Sequence, residues 1–242
     1  LHAPALTPGL RYLQVDMGRF HALGLRSDGS VVAWGYGPNG ETNVPALSPG
    51  LIYVEVAAGA GFSLARRSDG SIAAWGNGSQ GRTTVPTLPI GLTYVEISAG
   101  ETHGLARRSD GSVVAWGGDS HGQSRVPVGL TTCVEISAGS YHSLARRADG
   151  SLAAWGLNTS GQTQVSTLPP GPYAAIAAGG EFSLFLRSGG SIVHLGDDSS
   201  GQRAVPPPPA GVTYVEVAAG AAHGLARRSD GMVVTWGSND AR

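Results

Sequence analysis

Histidine recurs in this chain at one fixed place. His21, His103, His142 and His223 each close a Gly-x-x-His step. An imidazole that titrates near neutral pH can serve as a general base or a metal ligand, so the recurrence invites a catalytic reading. Phe62 and Phe182 occupy the same place after Gly59 and Gly179, and a phenyl ring can do neither. Interchange with Phe points to packing with a local hydrogen bond. Asp197 and Asp198, with His121, form the other conceivable acid/base set, yet adjacent carboxylates usually face water. No Gly-x-Ser-x-Gly elbow stands in a strand-turn-helix context, and no phosphate-binding loop leads into a helix. Metal-ligand spacing is missing too, and the lone Cys133 in an apolar segment reads as a small buried residue. No catalytic residue, cofactor or metal is expected.

Arginine carries the second signal. All sixteen basic residues are Arg, and the net charge is −1. Doublets at Arg66-Arg67, Arg107-Arg108, Arg146-Arg147 and Arg227-Arg228 resemble a nucleic-acid patch. Each doublet, however, accompanies a glutamate eleven residues earlier: Glu55, Glu96, Glu135 or Glu216. Where the first Arg becomes Leu25 or Leu186, the Glu becomes Gln14 or Ala175. Residues that come and go together in this way read as cross-strand ion pairs, which a hairpin turning about its two central residues would place opposite each other. The second Arg of each doublet is expected at the solvated rim. Nucleic acid is not an expected partner, and no apolar run is long enough to span a membrane.

These residues sit in a repeat. Trp34, Trp75, Trp116, Trp155, Leu195 and Trp236 stand 41, 41, 39, 40 and 41 residues apart. Each copy predicts four short antiparallel strands, with an Asp-Gly type I′ hairpin between the second and third and a Val-Pro step ending the fourth. Four-stranded repeats of this length specify an all-β, six-bladed β-propeller, here a single domain over residues 1–242. The segment from Ala3 to Leu10 matches that from Val44 to Leu51. An N-terminal strand is therefore expected to complete the last blade.

In such a blade the loops joining strands one to two and three to four emerge on the same face. They differ in every copy, whereas the Asp-Gly turns hardly change. The variable face is the candidate site for one asymmetric partner. Its candidate residues are Arg19, Phe20, Tyr36, Asn39, Glu101, Asp119, His121, Tyr141, Asn158, Glu181, Asp197, Asp198 and Asp240. Exposed aromatics are the usual anchors of an interface. The Asn and Asp positions equally suit Asx-type turns.

The motifs Ala-Gly-x-x-His-Ser-Leu-Ala, Ser-Asp-Gly-Ser-Val-Val-Ala-Trp-Gly and Gly-Gln-Thr-x-Val-Pro resemble the repeats of the regulator of chromosome condensation family, over essentially the whole chain. The loop wording is most similar to bacterial members, among them secreted propellers that inhibit β-lactamases. The resemblance implies a non-enzymatic, monomeric protein binder, secreted rather than intracellular, with the variable face as its grip. A carbohydrate-binding propeller is the alternative, and an enzyme using the same face the minor one.

Overall fold

A computed structural model describes residues 2–238, in two compact units, Leu1–Asp119 and Ser120–Arg242. Each unit holds three three-stranded antiparallel sheets. In the first unit these are β1 (Tyr12–Met17), β2 (His21–Arg26) and β3 (Val31–Gly35); β4 (Tyr53–Ala58), β5 (Phe62–Arg67) and β6 (Ile72–Gly76); β7 (Tyr94–Ala99), β8 (His103–Arg108) and β9 (Val113–Gly117). In the second they are β10 (Cys133–Ala138), β11 (His142–Arg147) and β12 (Leu152–Gly156); β13 (Tyr173–Ala178), β14 (Phe182–Arg187) and β15 (Ile192–Gly196); β16 (Tyr214–Ala219), β17 (His223–Arg228) and β18 (Val233–Gly237). Among the described residues no helix is long and apolar enough to cross a membrane.

The expected fourth strand does not form. After the Trp-Gly steps of the first two copies the chain spends N–H groups on local turns, such as Asn43 N–H to the Gly40 carbonyl and Thr84 N–H to that of Gly81. Pro45 and Pro86 then offer no N–H, so no ladder grows on the free edge of β3 or β6. The proline carbonyls instead accept the hydroxyl of the next tyrosine: Tyr53 to Pro45 at 2.9 Å, Tyr94 to Pro86 at 2.6 Å, and Tyr214 to Pro206. Residues 2–11 follow the same rule. They contain no strand, and the Pro4 carbonyl accepts the Tyr12 hydroxyl within the first unit, which overturns the expected N-terminal strand.

The Asp-Gly hairpins also differ from expectation. Gly70, Gly111 and Gly150 have φ near +80°, but the aspartates before them do not have positive φ. The turn closes one residue earlier, with Gly111 N–H bonded to the Arg108 carbonyl at 2.9 Å, so this is a longer loop with one left-handed glycine rather than a type I′ turn. Asp69 and Asp110 instead accept both the N–H and the hydroxyl of Ser71 and Ser112. These serine bonds hold both carboxyls below the ordinary Asp pKa.

Register follows the pairing of charges. Glu55 faces Arg66, Glu96 faces Arg107, Glu135 faces Arg146 and Glu216 faces Arg227. All four pairs bond through Arg Nε at 2.6–2.8 Å, and the first three are about one-fifth exposed. Glutamate does a second job that the sequence did not reveal. The other oxygen of Glu55 accepts the Ile97 N–H of the next sheet, and that of Glu135 accepts the Ile176 N–H. In the first sheet Gln14 reaches across in the same way, donating to the Val56 carbonyl and accepting its N–H. The second arginine of a doublet is less solvated than expected. Arg67 is partly buried, bonds Ser71, and lies against the Tyr53 hydroxyl.

Core packing runs from sheet to sheet. Leu23 and Leu25 of β2 meet Tyr53, Val56 and Trp75 of the second sheet, and Leu184 and Leu186 of β14 meet Tyr214, Val217 and Trp236 of the sixth. The first sheet is less buried than the second. Val15 is 51% exposed where Val56 is 1%.

Candidate functional site

Two loops of every sheet are tied together by one bond. The residue after Trp-Gly, or after Leu195-Gly196 in the fifth sheet, donates its N–H to the loop between the first two strands: Tyr36 to Phe20, Asn77 to Gly61, Leu157 to Tyr141 and Asp197 to Glu181, at 2.8–2.9 Å. The variable loops therefore share one face of each sheet, as the strand order requires. Beneath them lies the Gly-x-x-His step. A Cβ on Gly18 would meet His21 Cε1 at 2.7 Å, and one on Gly139 would meet that of His142 at 2.4 Å. Only glycine leaves room for the ring.

The histidines are structural. His21 Nε2 lies 2.9 Å from Ser63 Oγ, and Ser63 donates its single proton to the Glu41 carbonyl. That direction makes Nε2 the protonated, donating nitrogen of His21. His142, Ser183 and the Gln162 carbonyl repeat the chain in the second unit. Burial lowers the pKa of His142 to about 4, so it is neutral at physiological pH.

The residue after the loop glycine is a hub that sequence reasoning passed over. Gln123, Gln162 and Gln202 are buried, and their side-chain oxygens accept the N–H of His121, Ser160 and Ser200. Their carbonyls receive the next repeat, as Gln123 does from Ser143 and Trp155 and Gln202 from Trp236. In the first two copies charged residues stand here instead. Glu41 accepts the Asn39 N–H and side-chain amide at 2.9 and 2.7 Å, and the Arg82 carbonyl accepts Trp116 Nε1–H. Burial acts to raise the Glu41 carboxyl, yet the Asn39 amide, two backbone N–H groups and His21 outweigh it and bring its pKa below the ordinary value. The signal was available in the sequence, since Gly-Glu and Gly-Arg replace Gly-Gln at these two positions alone among the first five copies.

Both residues line a concavity in the first unit. About 350 Å3 in volume, it is lined by Arg19, Phe20, Tyr36, Asn39 and Glu101 from the expected set, with Pro38, Glu41, Ala60, Gly61, Asn77, Arg82 and Thr102. Phe20 and Tyr36 are exposed and meet edge to face with ring centroids 6.4 Å apart. The Arg19 guanidinium lies 5.3 Å from the Phe20 centroid and 3.4 Å from Glu101 Oε1. The aromatic pair is thus fixed by its own neighbours with its outer surface free. Arg82 bonds Gln80 at 3.2 Å, while its Nε is buried without a partner.

The remaining expected residues fall into two groups. His121 and Tyr141 meet at 5.3 Å in the second unit, and Glu181 accepts the Ser160 hydroxyl. Asn158, Asp197 and Asp198 are occupied in their own loops: Asn158 caps Thr163, Asp197 caps Ser199 and Gln202, and Asp198 caps Arg203. The Ser199 hydroxyl leads the contacts that hold Asp197 below the usual carboxyl range. Asp119 is partly buried and does not line the concavity, and Asp240 lies outside the described residues. No group of three potential metal ligands occurs among the described residues.

Comparison with known proteins agrees with the repeat geometry. Prp20p from Saccharomyces cerevisiae, described for its binding to Gsp1p and histones, superposes with a TM-score of 0.79 at 23% identity, over 93% of this chain and 71% of that one. Human WBSCR16 superposes at 0.80 and 16% identity, over 97% and 78%. The CRINKLY WD40 ectodomain of the Arabidopsis thaliana receptor kinase ACR4 gives 0.72 and 23%, over 95% and 80%. At these identities the likeness concerns the fold. No curated protein matches the chain by sequence. The model of the regulator of chromosome condensation (RCC1) repeat matches residues 13–41, 53–82, 94–123, 133–162 and 214–241, skipping the copy with Leu195 in place of Trp. With five of its six repeats matched, the chain belongs to the RCC1 repeat family.

Proposed function

We propose that this chain is a non-enzymatic β-propeller that binds a protein through the variable loop face, with the concavity of the first unit as its centre. The observation that carries this reading is the Phe20–Tyr36 pair, two large exposed rings held edge to face and flanked by Arg19 and Glu101. Rigid aromatics with an adjacent guanidinium are the side chains that dominate interface energetics. The named relatives support a protein partner: Prp20p is described as binding Gsp1p and histones, and yeast RCC1 has a structure bound to Kap60. The sharper version is a secreted, bacterial-type inhibitor of a β-lactamase-like enzyme, acting as a monomer; it rests on the loop wording alone.

A carbohydrate is the second reading, because a fixed tyrosine face such as Tyr36 can stack on a sugar ring. The test is affinity capture of intact periplasmic and secreted proteins on the immobilised chain, alongside a glycan array. One retained protein whose affinity falls by at least about 2 kcal/mol in both Phe20→Ala and Tyr36→Ala supports the proposal. A simple-sugar hit abolished by Tyr36→Ala replaces it with the second reading, and capture indifferent to both variants removes the concavity from the site.

A further inference from the structure

Gly61 is a glycine that the backbone does not require. It is the second residue of the loop between β4 and β5, the place that Phe20, Thr102, Tyr141, Glu181 and Ala222 take in the other copies. Its φ is not positive, and a Cβ built on it would make only ordinary contacts, 3.6 Å from Glu41 Oε1, 3.7 Å from Asn77 Cβ and 3.9 Å from Arg82 Nη1. Gly59 is the contrast, since a Cβ there would strike the Phe62 ring at 2.2 Å. What the missing side chain leaves at position 61 is space, within the concavity of the first unit.

Two hydrogen-bonding groups face that space with capacity to spare. Glu41 Oε1 accepts the Asn39 side-chain amide and keeps a second lone pair. Among the described residues the Arg82 side chain bonds through Nη2 alone, to Gln80, so Nη1 keeps both of its protons. Charge is already balanced around them. Of the four charged residues that line the concavity, Arg19 is paired with Glu101, and the ionised Glu41 stands at the same glycine as Arg82. A further ion would enter without a counter-charge, which is costly once water is excluded. A neutral group that both donates and accepts meets no such cost. A primary amide is that group, with a carbonyl for Arg82 and N–H groups for Glu41.

We propose that the concavity seats a glutamine or asparagine side chain of the protein partner over Gly61. Its N–H is donated to Glu41 Oε1 and its carbonyl accepts from Arg82 Nη1, while Phe20 and Tyr36 take the partner surface around it. This inference rests on the reading of the concavity as a protein-binding site and adds the chemistry of its occupant. Acidic and basic side chains are what the seat rejects.

Blocked tripeptides test it: acetyl-Gly-X-Gly N-methylamides in which X is Gln, Asn, Glu, Lys or Ala. Each is titrated into the isotopically labelled full chain while the Gly61 amide and Arg82 guanidinium resonances are followed. The Gln or Asn peptide should give saturable shifts and bind at least about tenfold more tightly than the Glu, Lys and Ala peptides, the worth of a hydrogen bond to a charged group. Gly61→Asn fills the seat with an amide of the chain itself, and Arg82→Gln restores the residue of the next three copies. Each should weaken the favoured peptide by at least about tenfold. Preference for the Glu or Lys peptide, equal binding of the Ala peptide, no saturable shift with any of them, or indifference to both variants would overturn the proposal. A captured protein that needs Phe20 and Tyr36 yet binds both variants undiminished would also overturn it, and would leave the protein-binding reading standing. An amide-selective seat with no protein retained would sink that reading and not the seat.

Discussion

His142 shows what a single buried side chain does in this repeat. Its ring fills the space over Gly139, and its Nε2–H is spent on Ser183, so a second proton has nowhere favourable to go. Burial takes its pKa from 6.5 to about 4. Above pH 6.5 both the folded and unfolded chains leave it neutral and its full contribution stands. As the pH falls from 6.5 towards 4 the unfolded chain takes up the proton and the folded one does not, so stability is lost across that window, by about 3 kcal/mol in all. Urea unfolding from pH 7 to pH 4.5 should show this slope. The double variant His142→Phe, Ser183→Gly recreates the arrangement in which Phe182 packs with Trp236, whose ring lies over Gly224. It should flatten the slope, whereas His142→Phe alone should cost at least about 1 kcal/mol more than the pair, because the phenyl ring then meets a hydroxyl that has lost its donor. A wild-type profile without a slope between pH 6.5 and 4.5 would refute the burial argument.

At the level of strands, the glutamate on the first strand belongs to two sheets at once. Arg66→Ala removes one partly exposed ion pair and should cost about 1 kcal/mol. Glu55→Ala removes that pair and also orphans the Ile97 N–H, and should cost about 2 kcal/mol. Denaturant titration of the two variants gives the comparison, and equal costs would deny the glutamate its second role. Tyr53→Phe tests the segment where a fourth strand was expected. Losing the bond to the Pro45 carbonyl should lower stability by about 1 kcal/mol, whereas an edge-strand role would leave it unchanged. Register was legible because Glu and Arg vary together, and chemistry that depends on two residues leaves a trace in both. The missing strand was not legible. Thr-x-Val-Pro has the composition of an edge strand, and whether Thr84 donates to a neighbouring β6 or back to Gly81 is decided by turn geometry that the four letters do not carry.

For the molecule as a whole, the sheets with the most exposed apolar side chains should open first. Stability in a repeat array is a sum of the repeats and their neighbouring contacts, and Val15 of the first sheet and Val233 of the sixth are more than half exposed. Hydrogen exchange should therefore be fastest at the β1 and β17 amides and slowest at β5 and β14; uniform exchange across the strands would contradict it. Of the residues expected on the loop face, Arg19, Phe20, Tyr36, Asn39 and Glu101 line the concavity of the first unit, and they stood out in the sequence because they depart from the pattern around them. Sequence reasoning missed Glu41 and Arg82, which line the concavity at a position where the next three copies fold a glutamine inward. The serine that answers a histidine, and the glycine that answers a phenylalanine, have one more effect. They act as an address on each blade, so the copies are not interchangeable despite their near-identical wording. Duplicating the second copy beside itself would set Phe62 against a serine. Shuffled or lengthened versions should therefore survive only in arrangements that keep neighbours matched.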